Sequence, residues 1–197
     1  MTKLFIIGAS GHGKVAADTA EACGYGDIAF LDQVWPDKTM NAHWPIVGRP
    51  EQEKSPIFCA VGKNQTRARL FDELSLGDSP TLIHPHTSLS RYAEIGAGTL
   101  VVAGSVVTAD TAIGRGVILN TGCSVDHDCQ VGDFVHISPG AHLAGNVSVG
   151  PRSWIGIGAV VREGVRIGCD VVVAAGAAVV DDVQDGARVG GVPARRI

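Results

Sequence analysis

Aromatic side chains are scarce in this chain, at 5% of 197 residues, and only 18% of its residues are charged. Basic runs and basic–aromatic interleaving are missing, and the formal net charge is −4. Both argue against a nucleic-acid binder. No apolar run approaches the roughly 20 residues of a membrane-spanning helix, so no membrane span is expected. The opening MTKLFIIGASGHGK runs straight into a folded motif without a signal-peptide cleavage pattern. Five cysteines without a CxxC spacing point to a reducing compartment and no disulfides. These absences predict a soluble, cytoplasmic protein of one large or two modest domains.

What is present is a metre. Seventeen aliphatic residues recur at intervals of six, without a slip, from Ile83 through Leu89, Ile95 and Val101 to Val179. About a quarter of the chain is Ile, Leu or Val, so chance would produce such a run roughly once in 10^10 trials. Two residues before each aliphatic position sits a small or β-branched residue, as at Thr81, Ala93, Ser105, Cys123, Cys129, Ala141 and Ser153. Strand alternation then turns both side chains into one narrow interior, and packing accounts for Cys123 and Cys129 there. Glycine follows the aliphatic residue at Gly96, Gly114, Gly132, Gly150 and Gly168, eighteen apart. Six residues therefore make a short strand plus a bend, and eighteen make a three-sided coil. The glycines are expected to mark a corner whose backbone conformation a Cβ would hinder. Each coil buries its interior only against its neighbours, so many are needed. The pattern resembles the hexapeptide-repeat, left-handed parallel β-helix of the acyltransferase superfamily. That resemblance supplies the hand, because the general rule for parallel crossovers predicts right-handed ones.

Before Thr81 the metre is absent. Residues 3–8 (KLFIIG) read as a buried strand, followed by ASGHGK and a helix over about 15–23. Residues 28–32 (IAFLD) and 56–61 (PIFCAV) read as further strands. Residues 64–74 form an amphipathic helix with Leu70, Phe71 and Leu74 toward the core. Strand alternating with helix predicts a Rossmann-like α/β domain with a small parallel sheet over 1–80. The β-helix domain and its Gly/Pro-rich tail then occupy 81–197.

Two stretches carry chemistry. Gly8, Gly11 and Gly13 form a strand–glycine–helix turn spaced GxxGxG, where glycines admit an anion to free helix N–H groups. Asp32, closing the second strand, stands where an acid binds a ribose hydroxyl in such folds. With Lys14 and the loop Gly62–Lys63–Asn64, a nucleotide-sugar fits better than NAD, because the spacing differs and the domain is too small for two mononucleotide halves. The second stretch is Asp126–His127–Asp128, where a carboxylate beside an imidazole sets its tautomer and raises its basicity, as a general base requires. The eighteen-residue period stacks His127 between Ala109 and Gly145, leaving open space beside the ring. His136 stacks under Trp154. His142 is read as structural, and His84 and His86 as linker residues.

GASGHGKV, IAFLD, NTGCSVDHDCQVGDFVHISPGAHLAGNVSVG and GVPARRI together resemble the PglD/NeuD-type sugar acetyltransferases, which act on bacterial nucleotide-activated sugars. The resemblance implies acetyl-CoA as co-substrate, no metal, and a homotrimer with active sites between subunits. It implies His127 as general base with Asp128 as its partner. Gly11, His12, Gly13, Asp32, Gln33 and Gly62 would hold the nucleotide, and His136 would contact substrate or the acetyl thioester. Gly145, Ile157 and Ala175 would line the acetyl-CoA groove. The chain looks most like the branch that acetylates the C4 amine of a UDP-linked 4-amino-4,6-dideoxy sugar, giving UDP-N,N′-diacetylbacillosamine. It departs from the family pattern in having Asp128 where some relatives have Glu, and Asp32–Gln33 where two acids are expected. GDP-perosamine N-acetylation and sialic acid O-acetylation are the alternatives within the family. A zinc hydratase like the γ-class carbonic anhydrases is a third reading, and would need His127, His136 and His142 to converge across a subunit boundary. A non-catalytic scaffold is a fourth.

Overall fold

The computed structural model describes residues 3–50 and 56–197, so part of the expected first domain lies outside the described residues. Among those described, no helix is long and apolar enough to cross a membrane. The first part of the chain runs β1 (Lys3–Ile7), α1 (Gly11–Ala22), β2 (Asp27–Leu31), β3 (Met40–Asn41), β4 (Trp44–Gly48), β5 (Ile57–Cys59) and α2 (Asn64–Glu73). Its strands lie in the order β3-β4-β2-β1-β5. β1 pairs in parallel with β2 and β5, and β2 with β4.

Two expectations are corrected here. The sheet is mixed rather than parallel, because β3 pairs antiparallel with β4. Only Ala42 and His43 separate these strands, and a connection that short can only reverse direction. Ala42 takes the turn at φ 54. Helix α1 also begins at Gly11, four residues before the expected start, so the glycine motif is mostly helix rather than loop.

After α2 the metre becomes architecture. Seventeen two-residue strands follow, from Leu82–Ile83 to Ala178–Val179, and each ends on one of the repeated aliphatic residues. They stack as three parallel sheets, the faces of a left-handed β-helix. The first face runs from Leu82–Ile83 to Val172–Val173 and closes with Arg188–Gly190 and Arg195–Arg196. The second runs from Ser88–Leu89 to Ala178–Val179, and the third from Glu94–Ile95 to Arg166–Ile167. Register advances by eighteen residues per coil, as in Ser124↔His142 and His142↔Val160. The interior is a single apolar column, with Leu119, Val125, Ile137 and Leu143 fully buried. Interior hydroxyls bond to the following coil: Thr99 Oγ1 donates to the Gly114 carbonyl at 2.9 Å and Ser153 Oγ to that of Gly168 at 2.7 Å. No interior hydroxyl among these is left to water, which removes the penalty of burying it.

The eighteen-spaced glycines serve a different purpose from the one expected. Their backbone does not have positive φ. A Cβ on Gly150 would instead stand 2.5 Å from the Gly168 carbonyl carbon, and one on Gly96 equally close to Gly114. Close stacking of coils requires them. Positive φ falls two residues later and recurs every six, from Gly98 through Gly104 and Asp110 to Gly176. Most of these corners are glycine, and the exceptions include Asp128, Phe134, Asn146, Arg152 and Asp170.

The first part of the chain packs on the first face and on its edge with the third. Leu82, Leu100 and Val102 share a core with Leu4, Ile6, Ala16 and Phe30. Phe134 packs edge-on against Phe71 with ring centroids 5.2 Å apart. The glycine turn is thereby placed beside His136, which lies on that face.

Candidate functional site

His127 stands on the edge between the second and third faces, in the bend linking Ser124–Val125 to Gln130–Val131. Its Nδ1 lies 2.7 Å from Asp128 Oδ2. Asp128 has φ 61, a left-handed conformation that Asp tolerates better than most residues. Of the two flanking acids, Asp128 is the one paired with the ring. With Nδ1–H donating to Asp128, Nε2 is left as a proton acceptor. His127 stacks on Gly145 as the period requires, but the space expected to stand open beside the ring is filled by the ring itself: a Cβ on Gly145 would lie 2.5 Å from His127 Cε1 and 2.6 Å from Nε2. The Asn146 N–H donates to the His127 carbonyl at 2.8 Å and the Asp128 N–H to that of Ala109 at 3.2 Å, which pins the bend between coils. Both side chains of the pair are well exposed, at 67% and 60%.

The opposite edge of the second face, where it meets the first, carries a groove of about 400 Å³ lined by Asn120, His136, Ser138, Trp154, Ile157 and Ala175 among others. His136 is 5% exposed. Its ring lies 4.2 Å from that of Trp154, and its Nε2 is 3.1 Å from Asn120 Nδ2. Donation from the amide requires the proton on Nδ1, and that buried nitrogen has no hydrogen-bond partner. Ser138 Oγ, in the same groove, is likewise unpartnered.

His12, in the first turn of α1, comes within 6.0 Å of the His136 ring, centroid to centroid, and its own Nε2 is buried without a partner. Burial first, and the Arg67 charge second, lower the His12 pKa to about 4. Burial, then His12, then Arg67 lower that of His136 to about 3, against a weak opposing pull from the Gly62 carbonyl. Both rings are neutral at pH 7. Gly11 and Gly62 are open, with nothing near the position of a Cβ, so a ligand can approach their backbone. Gly13 is closed: a Cβ would collide with the Gly8 carbonyl oxygen, so this glycine lets α1 pack onto β1. Asp32 already has work, accepting the Ala9 N–H on Oδ2 at 2.6 Å and the Val34 N–H on Oδ1 at 3.0 Å. It braces the glycine turn, with one further lone pair on each oxygen. Gln33 is exposed beside it.

One chain thus brings together His12, Gly62, His136, Ile157 and Ala175 along one side, and His127, Asp128 and Gly145 on a separate edge. His127, His136 and His142 fall on an edge, the first face and the second face. Among the described residues no three ligand side chains gather for a metal. Residue-level reading missed Asn120, Ser138 and Arg67. The first two lie in one eighteen-residue column with Gly156 and Ala174, so the period alone could have found them. Arg67 shares the helix face of Asn64 and Phe71, spaced i, i+3, i+7, and all three are buried.

Residues 3–74 match the family model described as the PglD N-terminal domain. The acetyltransferase domain of PglB from Neisseria gonorrhoeae, solved with acetyl coenzyme A, is 42% identical with a TM-score of 0.93, covering 99% of this chain and 98% of that one. PerB from Caulobacter crescentus, solved with CoA and GDP-perosamine, is 37% identical with a TM-score of 0.93, covering 100% and 98%. A UDP-N-acetylbacillosamine N-acetyltransferase from Bacillus subtilis is 38% identical over 52% of this chain and 52% of its own length, so the match spans about half of that curated relative.

Proposed function

This chain belongs to the PglD/NeuD-type hexapeptide-repeat sugar N-acetyltransferases, and on that premise we propose that it transfers the acetyl group of acetyl-CoA to the amine of a nucleotide-linked amino sugar. The observation that carries the reading is the His127–Asp128 pair stacked on Gly145. The neutral amine attacks the thioester carbonyl, the C–N bond forms, and His127 Nε2 takes the amine proton while Asp128 steadies the resulting imidazolium. Collapse of the tetrahedral intermediate expels the CoA thiolate, which is protonated on release. In this reading an N–H near Gly145, or His136 from a neighbouring copy, would favour the oxyanion. Cys59, Cys123 and Cys129 are buried, and burial pushes their thiols up, to about 11 at Cys59 and Cys123. These three are poor nucleophiles, and neither exposed Cys23, whose thiol donates to the Ile83 carbonyl, nor Cys169 lines the groove at His136, which favours direct transfer over an acyl-enzyme.

The nucleotide is assigned to Gly11, His12, Gly62 and the Asp32–Gln33 turn, and the acyl donor to the groove at His136, Ile157 and Ala175, with Gly145 facing it across the site. His127 and this groove occupy the two edges of the second face. A closed ring of three copies with second faces inward brings the His127 edge of one chain to the groove of the next. The outward column of that face mixes apolar Val106, Val160 and Ala178 with polar Ser88, Ser124 and His142. This placement supports a homotrimer with shared sites as the proposed assembly.

The substrate we favour is the UDP-linked 4-amino-4,6-dideoxy sugar whose acetylation gives UDP-N,N′-diacetylbacillosamine. The B. subtilis relative carries that activity in its name. A GDP-linked sugar such as GDP-perosamine is the second reading, favoured by the full-length likeness to PerB. Competition of UDP, GDP and CMP against the sugar nucleotide separates them. UDP is expected to inhibit at the lowest concentration; preferential inhibition by GDP moves the assignment to the second reading.

A further inference from the structure

Arg67 carries a charge without a counter-charge. It is 1% exposed, and among the described residues no carboxylate pairs with it. Its N–H groups all meet neutral oxygens. Nε donates to the Gly116 carbonyl at 2.7 Å, Nη1 to Val61 and Gly62 at 2.9 and 3.1 Å, and Nη2 to Asn64 Oδ1 at 2.9 Å and the Phe134 carbonyl at 2.8 Å. These acceptors belong to two bodies. Val61 and Gly62 form the loop after β5, while Gly116 and Phe134 are left-handed corners of the β-helix one coil apart. Asn64, one turn earlier on α2, reinforces the joint by donating to the carbonyls of Arg152 and Ser153, both at 3.0 Å.

An apolar side chain of similar volume would anchor α2 to the Phe71–Phe134 contact by packing alone, and buried charge is often a net cost to stability. Packing therefore does not account for an arginine here. A planar fork that ties one loop to one edge does account for it, because it fixes direction and spacing as burial does not. We propose that Arg67 is a positioning residue for acetyl transfer, holding the Gly62 loop at a set distance and angle from the His136 wall so that a single nucleotide-linked sugar reaches both. This rests on the acetyltransferase reading above. The guanidinium has a second consequence: its charge, behind burial, helps to keep His12 and His136 unprotonated, with ring nitrogens available to a polar ligand.

Two variants of the full chain separate fork from charge. Arg67→Lys keeps the charge and loses the planar fork; Arg67→Met keeps the bulk and loses both. Initial rates are measured with sugar nucleotide and acetyl-CoA varied independently, together with binding of UDP and GDP by calorimetry. Both variants are expected to raise KM for the sugar nucleotide roughly tenfold or more while leaving KM for acetyl-CoA within about twofold. Only Arg67→Met should move the acid limb of kcat/KM to higher pH, since loss of a nearby positive charge lets the histidines protonate more readily. Unchanged KM values, or parallel losses toward both substrates that follow a lowered melting temperature, would overturn the proposal. If Arg67→Met does not fold, Arg67→Lys and Asn64→Ala carry the same KM comparison. A wild-type chain that acetylates no nucleotide-linked amino sugar sinks the acetyltransferase reading instead. The Kd for the nucleoside diphosphate then decides on Arg67, with weakening of roughly tenfold expected in Arg67→Lys. An unchanged Kd, or no nucleotide binding by the wild type, overturns it.

Discussion

His12 and His136 show what burial does to individual groups. Their folded pKa values, about 4 and about 3, lie below the ordinary 6.5. Between those limits the unfolded chain binds protons that the folded chain refuses, so stability rises with pH across the window. The protein is expected to keep full stability above about pH 6.5 and to lose a few kcal/mol as pH falls toward 4. Melting temperatures taken across that range check this, and His136→Asn should flatten the dependence. A wild-type melting temperature indifferent to pH between 7 and 4.5 would contradict the burial argument. His127 and Asp128 were legible from sequence because their signal is local: two adjacent residues at a known phase of a known repeat. Which acid partners the ring came from the family resemblance and not from the residues themselves, since the choice depends on the left-handed conformation at Asp128. Arg67 escaped because amphipathic reading of a helix assigns arginine to solvent. The carbonyls that receive it come from residues 116 and 134, far along the chain.

Each coil of the β-helix rests on a few backbone contacts with its neighbours, repeated without insertion. A methyl group added at Gly150 would meet the Gly168 carbonyl at 2.5 Å and the Cys169 nitrogen at 2.6 Å. These nearest atoms are all backbone of the next coil, with no flexible side chain to yield, so Gly150→Ala is expected to destabilise by roughly 1–3 kcal/mol. Gly122→Ala tests a different mechanism, because its Cβ has open space and only its φ of 64 opposes the change. Its cost should be about 1–2 kcal/mol. Denaturant unfolding of both variants measures these losses, and a neutral Gly150→Ala would contradict the stacking account. The β-helix was readable strand by strand because every repeat states the same inward positions again. The hairpin of β3 and β4 was not, since two short strands joined by Ala42 and His43 carry no periodic signal. The start of α1 was misplaced for a related reason: Gly11 and Gly13 look like loop residues until the tight seat of Gly13 on β1 is seen.

As a whole, the molecule separates its parts. The nucleotide-type turn, His136 and the groove lie on one side, while His127 stands exposed across the second face. A site assembled between copies predicts complementation. A His127→Ala chain and a groove-blocked Ser138→Trp chain, each inactive alone, should recover activity when co-assembled. In random mixtures roughly a quarter of the sites would draw His127 from one chain and an intact groove from the other. Absence of recovery in verified mixed oligomers would place the whole site within one chain. The repeat alone could not supply this arrangement, because the period places residues on faces and edges but not one copy against another; only the family resemblance implied it.

The central claim is acetyl transfer to a nucleotide-linked sugar amine with His127 as base. Its most direct test is to incubate acetyl-CoA with UDP-linked and GDP-linked 4-amino sugars, following thiol release and the mass of the sugar nucleotide, for wild type and His127→Ala. The account predicts equal amounts of thiol and singly acetylated product from the wild type. It predicts a loss of roughly 10²–10⁴-fold in kcat for the variant with unchanged melting. Thiol release without an acetylated sugar nucleotide, or a His127→Ala chain as fast as the wild type, would contradict it.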